Sequence, residues 1–317
     1  AAAWPIRLVS PAEDGGLWVD GEPSGVFFDP SAVSLDEFLL LTNGRYSNAF
    51  AQSPVFGGDV LSGLSRLFLR YSARQAEGSV WGLLVREVFQ NRALADAGTG
   101  RVTADLAAVR LPREFSGVPP AGRLLEVLGE LEGLGLVRGL SAEGTRASFT
   151  PDPQLRLLTA RTGSLFELFV WHAVRSLGLF DEVQSGVEFV WQAASGGEGG
   201  METRNEIDVM IGCGCHPIFL SCKDTRQIAE EMVYQLSGVS ERFGAYPVWA
   251  LSRELPYYLS LTKRENGDAN GRAVISRALG MGVSVLGRET FEDEERLRAA
   301  MEAVRRGHVV CGGTVVR

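Results

Sequence analysis

The stretch Asn205-Glu206-Ile207-Asp208-Val209-Met210, followed after a Gly/Cys-rich turn by Pro217-Ile218-Phe219-Leu220-Ser221-Cys222-Lys223-Asp224, decides the fold. Two apolar runs of strand length flank the turn, and each carries polar groups at alternate positions, which predicts a β-hairpin with one polar face. Facing residues of an antiparallel pair have a constant index sum. If the turn centres on Gly214 and Cys215, Asp208 lies opposite Ser221 and near Lys223. A carboxylate and an amine then meet at one spot.

An Asp on one strand and an x-Lys pair ending the next suit metal-dependent phosphodiester hydrolysis. That reaction needs charge neutralised on the scissile phosphate, a nucleophilic water and a stabilised leaving oxygen. A divalent ion on carboxylates serves all three, and a nearby Lys orients or activates the water. Asp208 is the first candidate metal ligand and Lys223 the water-positioning group. Glu206, two residues from Asp208 on the same strand face, is a further candidate ligand.

Working outward, Gly163 to Leu177 predicts a strongly apolar helix that carries Glu167, and Val183 to Trp191 a strand. A Gly/Ser/Glu loop over 195–200 precedes the hairpin. After it come a helix over Gln227–Phe243, a strand over Tyr246–Leu251, a helix over Arg272–Leu279, a strand over Val283–Leu286 and an amphipathic helix over Phe291–Val304. This order describes an α/β domain with a mixed central sheet.

Upstream, Leu124 to Glu132 keeps a helical apolar stripe, then passes through Gly133 and Gly135 into a two-stranded ribbon closed by Ser141-Ala142-Glu143-Gly144. That is the outline of a winged helix, and its weak basic character favours joining domains over binding nucleic acid. Further helices are expected over Val60–Tyr71 and Ser79–Ala93. Ser34, with Glu37 three residues on, caps a helix to Leu41. Ile6–Val9 and Leu17–Asp20 read as two strands without visible partners.

The 317 residues, 45% hydrophobic and 22% charged, are enough to bury a sizeable core and read as two domains. No apolar run reaches the roughly 18 residues of a membrane span, and Ala1-Ala2-Ala3-Trp4-Pro5 lacks a secretory pattern. Three of the four cysteines crowd into 213–222, which is no disulfide framework. A soluble, cytoplasmic protein is the expectation. A net charge of -8 argues against a general nucleic-acid coat but is compatible with an acidic metal site beside a local basic groove.

The order of a helix with Gly163 and Glu167, Asn-Glu-Ile-Asp-Val at 205–209, an apolar strand ending at Lys223, then helix and strand, resembles the PD-(D/E)xK restriction-endonuclease-like superfamily. With the helix through Gln235 to Arg242 and Arg272-Ala273, it looks most like CRISPR-associated ancillary nucleases that couple a CARF sensor of cyclic oligoadenylate to such a nuclease. The resemblance spans residues 160–310 and, more faintly, 25–155.

It implies a restriction-endonuclease-like mixed sheet flanked by helices over 156–317, a helical and winged-helix-like linking domain over 31–155, and the tail of a CARF-like sensor over 1–30. It also implies a homodimer that cuts single-stranded DNA or RNA, or nicks duplex DNA, with Mg²⁺ or Mn²⁺ in antiviral defence. By position Asp208, Lys223 and Glu167 match the family's site. Ser221 stands where the motif has Glu, and a hydroxyl substitutes poorly for an anionic ligand. Glu167, Glu188 or Glu206 would then supply the missing carboxylate. The alternative is a catalytically impaired nucleic-acid-binding or regulatory module.

Blander readings stand beside these. Asp208 with Lys223 can be a plain cross-strand ion pair, Gln235 a surface amide, and Lys263-Arg264 a solvated turn. Cys213, Cys215, His216 and Cys222 have an unusual spacing for structural zinc.

Overall fold

A computed structural model describes residues 9–11, 16–19, 22–27, 33–41, 44–46, 56–72, 79–109, 120–161, 163–192, 202–213, 216–267 and 269–316. Strands β1 (Val9–Pro11), β2 (Gly16–Val19) and β3 (Glu22–Phe27) form an antiparallel sheet in that order. The early strands are thus each other's partners, with Val9 opposite Val19, and β3 completes the set. The remaining parts of the expected strands, Ile6–Leu8 and Asp20, lie outside the described residues.

Helix α1 (Leu35–Leu41) begins at the expected capping box. Ser34 Oγ accepts the Glu37 N–H at 3.3 Å, and Glu37 Oε2 accepts the Ser34 N–H at 3.0 Å. Strand β4 (Gly44–Tyr46) follows, then α2 (Gly58–Tyr71) and α3 (Val80–Leu84). Where one helix over 79–93 is predicted, α3 widens into a π-helical turn at Val85–Phe89 and ends in a 3₁₀ turn at Arg92–Leu94. The β-branched Val85 and Val88 weaken the regular helix there.

Strand β5 (Val102–Asp105), helix α4 (Pro120–Gly133) and strands β6 (Val137–Glu143) and β7 (Arg146–Pro151) build a helix-and-ribbon unit with sheet order β5-β7-β6. Gly144, at φ +61°, turns the ribbon. Asp152 Oδ1 then accepts the Gln154 N–H at 2.9 Å to cap α5 (Pro153–Leu158).

The rest of the chain keeps the expected alternation: α6 (Ser164–Ser176), β8 (Val183–Gln192), β9 (Glu202–Ile211), β10 (Ile218–Lys223), α7 (Glu230–Phe243), β11 (Tyr246–Leu251), α8 (Leu255–Ser260), α9 (Lys263–Asn266), α10 (Gly271–Gly280), β12 (Ser284–Leu286), α11 (Arg288–Phe291), α12 (Glu294–Arg305), β13 (Val310–Cys311) and β14 (Thr314–Val315). Elements α8, α9, β13 and β14 are additions to the expected order, and the helix expected over Phe291–Val304 is divided into α11 and α12. Lys263-Arg264 therefore opens a short helix, not a plain turn, because Thr262 and Glu265 form a second capping box. The predicted loop over 195–200 and the turn residues Gly214 and Cys215 lie outside the described residues.

A mixed sheet of order β14-β13-β12-β11-β10-β9-β8-β4 runs through this part. Its centre, β10 to β13, is parallel, while β4, β8 and β9 are antiparallel. Because β10 is apolar at consecutive positions, it buries both faces. Leu220 joins the core shared with α2, α4, α6 and α12, and Phe219 the core shared with α1, α7, α8 and α10. Among the described residues no helix is long and apolar enough to cross a membrane.

A buried ion joins the end of α2 to the start of α11. Arg288, 0% exposed, donates to Glu292 Oε1 at 2.6 Å and to the terminal carbonyls of α2 at Ser72 (3.0 Å) and Leu69 (2.5 Å), with Phe68 beneath it at 5.0 Å. Carbonyls at a helix C-terminus lack intrahelical partners and attract cations. Arg288→Met leaves those acceptors unmet; urea denaturation should show a loss of about 3–5 kcal/mol.

Candidate active site

The hairpin pairs Ile211 with Ile218, Met210 with Phe219 and Val209 with Leu220, so the index sum brings Asp208 to Ser221, as the sequence required. The backbone ladder stops at Val209–Leu220. In its place Asp208 Oδ2 accepts the backbone N–H of Cys222 at 2.6 Å and the Ser221 hydroxyl at 3.4 Å. Strand N–H groups point along the sheet toward the neighbouring strand. The carboxylate therefore fills the opening where β9 and β10 part.

The other side of β9 yields at the same level. The β8–β9 register places Gly186 opposite Asp208, and Gly186 has φ +61°, a conformation that only glycine adopts without strain. Ile207 and Val209, two residues apart, pack into opposite cores, so the pleat slips at Asp208. A regular strand would turn Asp208 strictly to one face.

Helix α6 supplies the second acid. Glu167 lies in its first turn, where the helix dipole favours a carboxylate. A Cβ on Gly163 would make ordinary contacts with Glu167 Oε1 at 3.5 Å and the Asp224 Cβ at 4.0 Å, so the start of α6 lies against both acids. Burial, then the charge of Asp208, raises the Glu167 pKa to about 7 against the pull of Arg161 and Lys223. Burial also raises Asp208, with Lys223 and the Cys222 N–H opposing and Glu206 reinforcing. Two acids that disfavour each other's ionisation in a half-buried site are what a bound cation would relieve.

The remaining candidates divide. Lys223 acts electrostatically on both acids but makes no direct ion pair among the described residues, so it is not a plain cross-strand salt bridge to Asp208. Ser221 is a weak hydrogen-bond donor to Asp208. Glu206 is held bidentately by Arg161, Nη1 to its two oxygens at 2.9 and 3.1 Å, and faces Glu188 across the β8–β9 ladder. Among the described residues no three Asp, Glu, His or Cys side chains are gathered as a ready metal cage. The donors that do suit a hard cation are Asp208 and Glu167, both carboxylate oxygens.

Gln235 is exposed on α7. His216 Nδ1 is engaged with the Gly244 carbonyl at 3.1 Å, and burial, then the charges of Asp208 and Glu167, drives the Cys222 thiol well upward. Cys215 lies outside the described residues. The sequence reading missed Arg161, whose only local signal is a charged residue just before the helix that carries Glu167. It also missed the Cys222 N–H, which no side-chain pattern encodes.

No protein-family model matches the chain, and no curated protein does. Among solved structures it superposes on protein VC1899 from Vibrio cholerae with TM-score 0.59 at 16% identity, covering 95% of this chain and 70% of that one. It also superposes on Can2 from Sulfobacillus thermosulfidooxidans, solved in complex with cyclic tetra-adenylate, with TM-score 0.50 at 13% identity, covering 94% and 69% respectively. At these identities the likeness is one of fold.

An acid whose pKa is raised by folding binds its proton more tightly when folded. The fold is therefore penalised as pH rises from the ordinary carboxylate range to about 7, and fully above that. In chelator, Glu167→Gln should melt like the parent near pH 5 and several degrees higher above about pH 8, a gain on the order of 1–3 kcal/mol. Arg161→Ala should do the reverse above pH 8, lowering the melting temperature by removing a countercharge from three carboxylates.

Proposed function

We propose that this chain is a divalent-metal nuclease of the restriction-endonuclease-like type, acting on single-stranded DNA or RNA in CRISPR-associated antiviral defence. The observation that carries the reading is the convergence of Asp208, Glu167 and Lys223 where β9 and β10 part. The sequence resemblance and the fold shared with Can2, a protein solved with cyclic tetra-adenylate, support a cyclic oligoadenylate as regulator. Residues 156–317 would be the nuclease domain, 31–155 the linking domain and 1–30 the tail of a sensor, in a cytoplasmic homodimer.

In this reading Asp208 and Glu167 would hold Mg²⁺ or Mn²⁺, which when bound would supply the Lewis acid for the scissile phosphate. Asp208 is prepared for that task because Cys222 and Ser221 both engage Oδ2 and leave Oδ1 to face the ligand. Lys223 holds the attacking water and offsets charge developing on phosphate. Ser221 does not ligate; it steadies Asp208. Arg161 balances Glu206, and its guanidinium would offer positive charge to a phosphate beside it.

The second reading, a nucleic-acid-binding or regulatory module that keeps the fold without turnover, draws on Ser221 in the acidic motif position. An assay with labelled single strands separates them. With Mn²⁺ or Mg²⁺ the parent should cleave, while Asp208→Ala and Lys223→Ala should each lose about 10²-fold or more. Cleavage unchanged in Asp208→Ala would remove the proposal. Binding without turnover, rescued by Ser221→Glu, would establish the second reading instead.

A further inference from the structure

Immediately beyond Lys223 the chain lines a concavity of about 840 Å³ with Asp224, Thr225, Arg226 and Gln227, closed by Tyr257 and by Arg86 from the π-helical turn. This volume falls within the range of small-ligand pockets. The rim is preorganised. Tyr258 donates to the Thr225 carbonyl at 2.7 Å, Tyr257 to the Arg226 carbonyl at 3.2 Å, and Gln227 Nε2 to the Glu265 carbonyl at 2.6 Å.

Behind the rim stands Arg253, only 5% exposed, with its guanidinium carbon 4.8 Å from the centre of the Tyr257 ring. Its Nη1 is buried and has no hydrogen-bond partner among the described residues. A buried guanidinium donor without an acceptor is costly, and this one belongs to the side chain that backs Tyr257, a lining residue of the concavity. Arg86 and Arg226 line the concavity together with Asp224 and Glu265, and Arg253 adds a third guanidinium behind Tyr257. The candidate active site is next door, since Glu167 Oε1 and the Asp224 Cβ both come within 4.0 Å of where a Cβ on Gly163 would stand.

We propose that this concavity binds the segment of a single-stranded polynucleotide that flanks the scissile bond, with Arg86 and Arg226 on its phosphate and Tyr257 stacked on its base. Arg253 is a positioning residue that holds the Tyr257 ring and adds charge behind the phosphate. Guanidinium forks match phosphate oxygens, and an aromatic face takes any base without regard to sequence. This inference rests on the nuclease reading and adds to it the subsite that holds the strand.

The test is fluorescence anisotropy in chelator with labelled single strands of DNA and RNA, with cyclic tetra-adenylate as a separate arm. Arg86→Glu and Tyr257→Leu, both checked for parental melting temperature, should weaken strand binding about 10-fold or more. Arg86→Glu should also flatten the salt dependence, and cyclic tetra-adenylate binding should be unchanged. Asp208→Ala should bind strands like the parent while failing to cleave. Parental strand affinity in both cavity variants would overturn the subsite and leave the nuclease reading standing, as would loss of the cyclic nucleotide alone. A parent that neither binds nor cuts strands in the presence of metal would end both. If Tyr257→Leu melts early, Arg86→Glu, which changes an exposed side chain, decides.

Discussion

A carboxylate held inside a sheet opening, close to another acid and short of countercharge, is the constraint from which the rest of the site follows. Asp208 cannot continue the β9–β10 ladder and hold its own position at once, so the strands separate and its oxygen takes the Cys222 N–H that a backbone carbonyl would otherwise accept. Burial makes each charge in this opening dear. Glu167 accordingly titrates near neutrality, and Arg161 is drawn in to neutralise Glu206.

The scaffold makes that arrangement hold. Strand β10 is buried on both faces, with Leu220 and Phe219 in opposite cores, so the end of the strand that bears Lys223 is fixed from above and below. Helix α6 packs in the same core as α2, and Arg288 ties the end of α2 to the start of α11. The part of the chain before α5 thereby becomes part of the site's frame, and it contributes Arg86 directly to the concavity beyond Lys223. Strand β4, from the same region, closes the edge of the mixed sheet against β8.

What the sequence revealed follows a physical pattern. The constant index sum of an antiparallel pair was enough to bring Asp208 to Ser221, although the polar face expected of the hairpin gives way to a β10 buried on both faces. Ser34 and Glu37 announced a capping box because that interaction is local. Glu167 stood out as a carboxylate in an apolar helix. Hidden were the features made by contacts distant in sequence or by backbone geometry. Gly186 at φ +61° sits in an ordinary-looking strand, Arg161 meets Glu206 across 45 residues, and Arg86 meets Asp224 and Arg226 at one concavity only through the fold. The two-residue strands β13 and β14 are too short to leave a periodic signal.

The central claim is that Asp208 and Glu167 form one cation-binding unit. Electron paramagnetic resonance of Mn²⁺ titrated into the protein near pH 8 measures this directly. The account predicts a bound Mn²⁺ on the parent that Asp208→Asn and Glu167→Gln each weaken strongly, alone or together to a similar extent. Equal Mn²⁺ binding by the parent and Asp208→Asn would contradict it.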